Sequence, residues 1–147
     1  AAARARAARR RPHVMLGFAR RLRLELMPER IAICRLPADA PLPPWALAAR
    51  YWSITRTPDE LSVVCPEAAV PPDVAASRGW RALRFEGPLP LDQTGILASV
   101  TTPLAQARVS VFALATYDTD YVLIPAAQQG QAIAALEAAG HSVSTGL

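Results

Sequence analysis

The chain has 147 residues, enough for one ordinary domain or two very small ones, and 52% of them are hydrophobic, which excludes a globally disordered chain. The formal charge of +4 is unevenly spread: residues 1–21 hold seven Arg and no acid, whereas 22–147 hold nine Arg against twelve acids and carry −3. The basic character belongs to a tail, and the mildly acidic remainder argues against a broad nucleic-acid-binding surface.

The tail, AAARARAARRRP onward, reads as a disordered Arg-rich extension over 1–21. It could touch nucleic acid or an anionic membrane only by nonspecific electrostatics; it has transit-peptide composition except that it lacks Ser. Met15 and Met27 are both candidate starts. No stretch reaches the roughly 18 apolar residues of a membrane span, and none has the form of a secretory signal, so a cytoplasmic protein with no membrane partner is expected. Cys34 and Cys65 sit in the apolar runs IAICRL and LSVVCP and read as isolated buried thiols. With only His13 and His141 elsewhere, no His/Cys cluster has metal-ligand spacing, so neither a metal nor a cofactor is expected.

In chain order, residues 22–36 read as extended and interrupted at Pro28, with a buried strand over 29–36. Pro37, Pro41, Pro43 and Pro44 exclude regular structure until a short helix at about 44–50, where Pro44 suits the first turn. YWSITRT (51–57) and LSVVC (61–65) flank the turn signal Pro58-Asp59 and read as a hairpin. A short helical segment is expected at about 72–78, then a central strand, WRALRFE, over 80–86. Trp45, Trp52 and Trp80 are expected as core anchors.

Gly87-Pro88 breaks that strand, and LDQTGILASVTTPLAQA predicts a helix. Asp92 or Thr94 is its expected cap, and Ile96, Leu97, Val100 and Leu104 follow helical spacing. Pro103, inside it, should remove one hydrogen bond and bend the axis. VSVFALAT (109–116) and YVLI (121–124) read as strands, the Ala-rich run closed by Gly140 as a helix, and HSVSTG as a last short strand. The order strand, helix, strand, strand, helix, strand thus occurs twice: over 22–86 with shortened helices and over 80–147, with 80–86 shared. The expected fold class is α+β, two ferredoxin-like βαββαβ units in tandem, with antiparallel sheets and helices on one face.

The informative stretch is the loop Asp92-Gln93-Thr94-Gly95-Ile96 and the hairpin tip Thr116-Tyr117-Asp118-Thr119-Asp120. A helix start offers free backbone N–H groups and a dipole to an anion, and Gly95 lets a ligand approach the backbone. The tip offers a hydroxyl, an aromatic wall and carboxylates, of which Asp120, opening a strand, could pair with an ammonium or guanidinium. Read from residues alone, Thr94 also fits a plain cap, Gly95 a tolerated glycine, and Asp118 and Asp120 solvated turn residues. There is no GxSxG, P-loop or GxGxxG and no supported acid–base pair, so no catalytic residue is named and no enzyme is expected.

LPADAPLPPWA, YWSITRTPDELSVVCPE, RGW, GPL…TGILAS and TYDTDYVLI, in that order, resemble the bacterial ACT-domain proteins related to the CASTOR arginine sensors. The resemblance spans about residues 24–143, and 1–23 have no counterpart in it. It implies tandem ACT units, a free amino acid bound at an interface between such units, and self-association into a homo-oligomer such as a dimer that regulates a protein partner. By its S/T-[FY]-x-x-D loop, Thr116, Tyr117 and Asp120 would contact the ligand, with Gly95 and Ile96 opposite; Thr94, beside them in the loop, completes the expected ligand-binding set. The alternative is a ligand-free dimerisation or protein-interaction module.

Overall fold

The computed structural model describes residues 20–145, so the reading of the tail lies outside the described residues except for Arg20 and Arg21. Seven strands and three helices follow in order: β1 (Arg23–Leu36), α1 (Pro44–Leu47), β2 (Ser53–Arg56), β3 (Leu61–Pro66), β4 (Ala76–Phe85), α2 (Ile96–Gln106), β5 (Phe112–Ala115), β6 (Asp120–Pro125), α3 (Gln129–Ala138) and β7 (Ser142–Thr145). The fold is mixed α+β. Its strands form one sheet in the order β2-β3-β1-β4-β6-β5, with β7 on β1. Every pairing is antiparallel except β1 with β7.

The length of β1 and β4 unites the sheet. They pair from Leu24↔Phe85 to Cys34↔Ala76, so both halves of the chain hang on the same two strands. The first turns of β1, Arg23–Leu26, lie between β4 and β7, where a simple βαββαβ unit would seat its first and last strands side by side.

Pro28 does not interrupt β1 as expected. Proline cannot donate to a ladder, and the strand absorbs it as a register shift between Leu26 and Arg30. Arg81 fills the gap, donating to the Met27 carbonyl through Nη2 at 2.7 Å and Nε at 3.2 Å. A second shift, between Ile31 and Ile33, faces Gly79, whose φ of 77° suits a residue without a Cβ.

The helices depart from expectation mainly in the first half. α1 has four residues, and no helix forms at 72–78. Pro71-Pro72 supplies no N–H donors there; the chain turns through Val74 N–H to the Pro71 carbonyl (3.2 Å) and enters β4 at Ala76. The helical turn nearest to it is the 3-10 turn Glu67–Ala69, which directly follows β3. In the second half α2 runs through Pro103 to Gln106. The carbonyl that Pro103 leaves unbonded, Ser99 O, is met by His141 Nε2 at 2.9 Å. His141 Nδ1 accepts the Leu22 N–H (3.1 Å), so Nε2 carries the proton and the buried imidazole is neutral. β5 is shorter than the expected 109–116: Arg108 turns the chain at φ 58°, and Val109 packs into the core outside the ladder.

All three helices lie on one face of the sheet. Leu24 and Leu26 of β1, Leu83 and Phe85 of β4 and Val122 and Ile124 of β6 meet Val100 and Leu104 of α2 and Leu136 of α3 there. Under α1, whose Ala46 packs down onto it, the same face carries mostly small residues, Ala32, Cys34, Val63 and Cys65, with Leu61 beside them. Cys34 and Cys65 are buried free thiols but not isolated, because Ala32↔Cys65 and Cys34↔Val63 set them diagonally on adjacent strands. Their hydrogen bond holds Cys34 below and Cys65 above the ordinary thiol value. A diagonal pair has Cα atoms about 7–8 Å apart, at or beyond disulfide reach.

Among the described residues the opposite face carries no helix. Ile31, Val64, Ala82 and Leu123 floor a hollow of about 240 Å³ there, walled by Tyr51, Trp52 and Tyr121. Trp45 and Trp80 pack against core clusters, but Trp52 is 46% exposed at the rim of this hollow and is not the core anchor expected.

Candidate functional site

Two loops meet beyond the end of β4. The first, residues 86–95, leads into α2; the second, residues 116–119, is the tip of the β5–β6 hairpin. The Leu89 N–H donates to the Asp118 carbonyl (2.7 Å), and Thr119 Oγ1 donates to the Phe85 carbonyl (2.7 Å). Gly87 permits this approach: a Cβ there would lie 3.0 Å from Asp118 O and 3.2 Å from Thr119 Cβ. The tip is itself a closed turn, with the Thr116 N–H and Oγ1 both donating to the Thr119 carbonyl, at 2.8 and 2.9 Å.

Between the loops lies a cleft of about 130 Å³. Leu89, Gln93 and Ile96 line one side, and Ala115, Thr116, Tyr117 and Asp120 the other. Of the six residues read from sequence, Ile96, Thr116, Tyr117 and Asp120 are brought together here; Thr94 and Gly95 adjoin the cleft in the chain but do not line it.

Their chemistry differs from expectation in detail. Neither Asp92 nor Thr94 caps α2. Gly95 is the N-cap, at φ 78°, and no side chain makes a cap hydrogen bond. The first turn of α2 therefore has neither a side-chain cap nor an acid, which leaves its dipole uncompensated. The Thr116 hydroxyl is spent on the turn. Asp120 opens β6 opposite Ala115, is half-buried, and makes no salt bridge among the described residues. Gln93 was not singled out as a contact residue, yet its buried Oε1 has no hydrogen-bond partner. Its place two residues before the glycine that opens the helix is the signal that could have marked it. Leu91 (72% exposed) and Tyr117 (81% exposed) stand at the cleft as large apolar side chains in water.

The comparisons with known proteins bear on this arrangement. The ACT domain family model matches residues 75–138, a span that contains β4, α2, the cleft, β6 and α3. A second model, of an N-terminal domain family, matches 29–73. The chain is an ACT-domain protein related to the CASTOR family. Over 88 residues this ACT-domain protein is 32% identical to the human protein CASTOR3P, a match covering 51% of the chain and 54% of that relative. Over 59 residues it is 37% identical to the human cytosolic arginine sensor for mTORC1 subunit 1, covering 40% of the chain and 18% of the sensor. The chain thus matches about half of one curated relative and under a fifth of the other.

Among solved structures, a crystallised Agobacterium tumefaciens protein is 36% identical and superposes with a TM-score of 0.83, covering 88% of this chain and 96% of that one. The regulatory subunit of aspartate kinase from Thermus thermophilus, at 17% identity, shares the fold alone, with a TM-score of 0.53 over 79% of this chain and 93% of that one. Among the described residues no helix is long and apolar enough to cross a membrane, and no group of three His, Cys, Asp or Glu could hold a metal ion.

Proposed function

We propose that this ACT-domain protein is a non-enzymatic cytoplasmic amino-acid sensor, built of two βαββαβ units in tandem, whose ligand binds in the 89–96/115–120 cleft at an interface with a second ACT unit. The observation that carries this reading is the pairing of an uncompensated helix start with a half-buried carboxylate that lacks a cation: the first suits a carboxylate, the second an ammonium or guanidinium. A cleft of about 130 Å³ is too small and too open to enclose a ligand alone, since ligand sites commonly span roughly 300–1,000 Å³. Exposed Leu91 and Tyr117 at its rim are surfaces that a second copy would cover. The unit boundaries fall within the shared strand β4, and the Arg-rich extension stands outside both units. A protein partner would read the ligand through the change in this interface.

The test is thermal denaturation with each of the twenty amino acids at millimolar concentration, arginine first because one relative carries the name of a cytosolic arginine sensor. A ligand at 100 times its Kd stabilises by about 2.7 kcal/mol, and Asp120→Ala abolishes that gain. A flat response from all twenty removes the sensor reading. The exposed Leu91 and Tyr117 also fit a ligand-free dimerisation module, and light scattering separates the two. A dimer indifferent to every amino acid favours the module.

A further inference from the structure

The hairpin that frames the cleft has a counterpart in the first half. Residues 53–69 and 112–128 correspond one for one: β2 with β5, β3 with β6, and the 3-10 turn Glu67–Ala69 with Ala126–Gln128. The turns between the strands share their hydrogen bonds. The Thr57 N–H donates to Glu60 O at 2.9 Å and Thr57 Oγ1 accepts the Glu60 N–H at 3.2 Å, while Thr116 and Thr119 do the same at 2.8 and 3.2 Å.

Two side chains break the correspondence. Arg56 stands opposite Leu61, and Ala115 opposite Asp120. The Arg56 guanidinium reaches back across its own half to the loop after β1, donating through Nη1 to the Ala38 carbonyl and through Nη2 to the Ala40 carbonyl, the latter at 2.6 Å. Strand register locates the matching atoms. Leu36 lies opposite Leu61, and continuing the pairing Arg84↔Tyr121 puts Phe85 beside Asp120. Counted on from those pairs, Ala38 and Ala40 fall at the places of Gly87 and Leu89, on the loop that walls the candidate cleft, although the Ala40 N–H turns back to Pro37 O where the Leu89 N–H reaches Asp118 O. Where the first half places an arginine stem, the second has a methyl group, a hollow and a carboxylate.

We propose that the two halves carry the same cation cleft in two states: Arg56 fills the first from within, and Ala115 leaves the second open. The first is then a surface guanidinium site occupied by the chain's own exposed Arg56 and held by two backbone carbonyls. The native chain has one open cleft, not two. A planar fork with donors on two nitrogens reaches both carbonyls at once, which a single ammonium does not, so the sealed cleft discriminates guanidinium from ammonium. The second-half part rests on the sensor reading; the first-half part does not.

The experiment uses the full chain as four proteins: native, Arg56→Ala, Asp120→Asn and the double variant. Each is titrated by NMR with ethylguanidinium, which replaces the atoms deleted beyond Cβ, and with propylammonium. Asp120→Asn silences the open cleft and leaves the first sealed, so it should bind neither probe. The double variant should bind one ethylguanidinium, in the roughly millimolar to tens-of-millimolar range for a probe of so few atoms, with shifts at Ala38 and Ala40, and propylammonium several-fold more weakly. A double variant that is folded by circular dichroism yet binds no more than Asp120→Asn overturns the proposal. Should Arg56→Ala fail to fold, slow rotation of the Arg56 guanidinium in the native chain carries the same decision: rotation as fast as that of Arg50 overturns it. If the amino-acid screen is flat, the sensor reading falls while the double-variant titration still decides the sealed cleft.

Discussion

The two halves of this molecule share a strand skeleton and differ in what covers it. The second half is covered by helices of 11 and 10 residues, the first by a four-residue helix and a three-residue 3-10 turn. On the sheet face beneath the long helices lie Leu24, Leu26, Leu83 and Phe85; beneath the short ones lie Ala32, Cys34, Val63 and Cys65, with Leu61 as the one large buried side chain. Large side chains hold a helix about 8–10 Å off its neighbour, whereas small ones let a proline-rich loop lie against the strands. The difference teaches that the volume on the sheet's inner face, more than strand order, selects the cover.

Core substitutions test this most severely. Phe85→Ala should cost about 3–5 kcal/mol in chemical denaturation, because a fully buried ring leaves a cavity. Cys65→Ala should cost about 1 kcal/mol, near the centre of the usual range for point substitutions. Equal losses would show that the two covers depend on their cores alike. Next in size is His141→Phe, expected to cost about 1–3 kcal/mol by orphaning the Leu22 N–H and Ser99 carbonyl. Faster hydrogen exchange at Leu22, with the α1 region unchanged, would place that loss in the second half. Gly95→Ala should cost about 1–2 kcal/mol, since an L side chain at φ 78° is strained, and should weaken any amino-acid effect by disturbing the start of α2.

The smallest effect belongs to the helix-free face. The Tyr51 hydroxyl is buried without a hydrogen-bond partner, and burial, with Glu29 close by, pushes its pKa up. The folded state then holds the phenolic proton after the unfolded state has released it, so stability falls as pH rises above the ordinary tyrosine value of about 10. Tyr51→Phe should be neutral or slightly stabilising at pH 7 and should flatten that alkaline slope. An unchanged slope would mean that another group sets it.

Much of the element order was legible because periodicity and punctuation agreed. Alternating apolar runs marked β3 and β6, helical spacing marked α2, and Gly140 marked the end of α3. Local signals misled where a long-range partner took over. Pro28 reads as a break, yet the Arg81 guanidinium, donated from another strand, supplies the missing ladder bonds. Pro71-Pro72 reads as a helix start, yet β4 needs those residues as a turn into its pairing with β1. At the candidate site, residue types were readable but employment was not. The Thr116 hydroxyl closes a turn, Thr94 is exposed and does not line the cleft, and the orphaned Gln93 amide oxygen enters only once two loops meet.

The sequence by itself determined the strand-and-helix alphabet, the acidic character of the folded part and the residues of the hairpin tip, because these depend on side-chain chemistry and short-range periodicity. The tertiary structure alone decided that both halves share one sheet, that β1 wedges between β4 and β7, and that Arg56 is occupied where Ala115 is open. Those outcomes depend on which distant strands pair and in what register. A hydrogen bond between residues far apart in the chain leaves no local pattern from which it could be read.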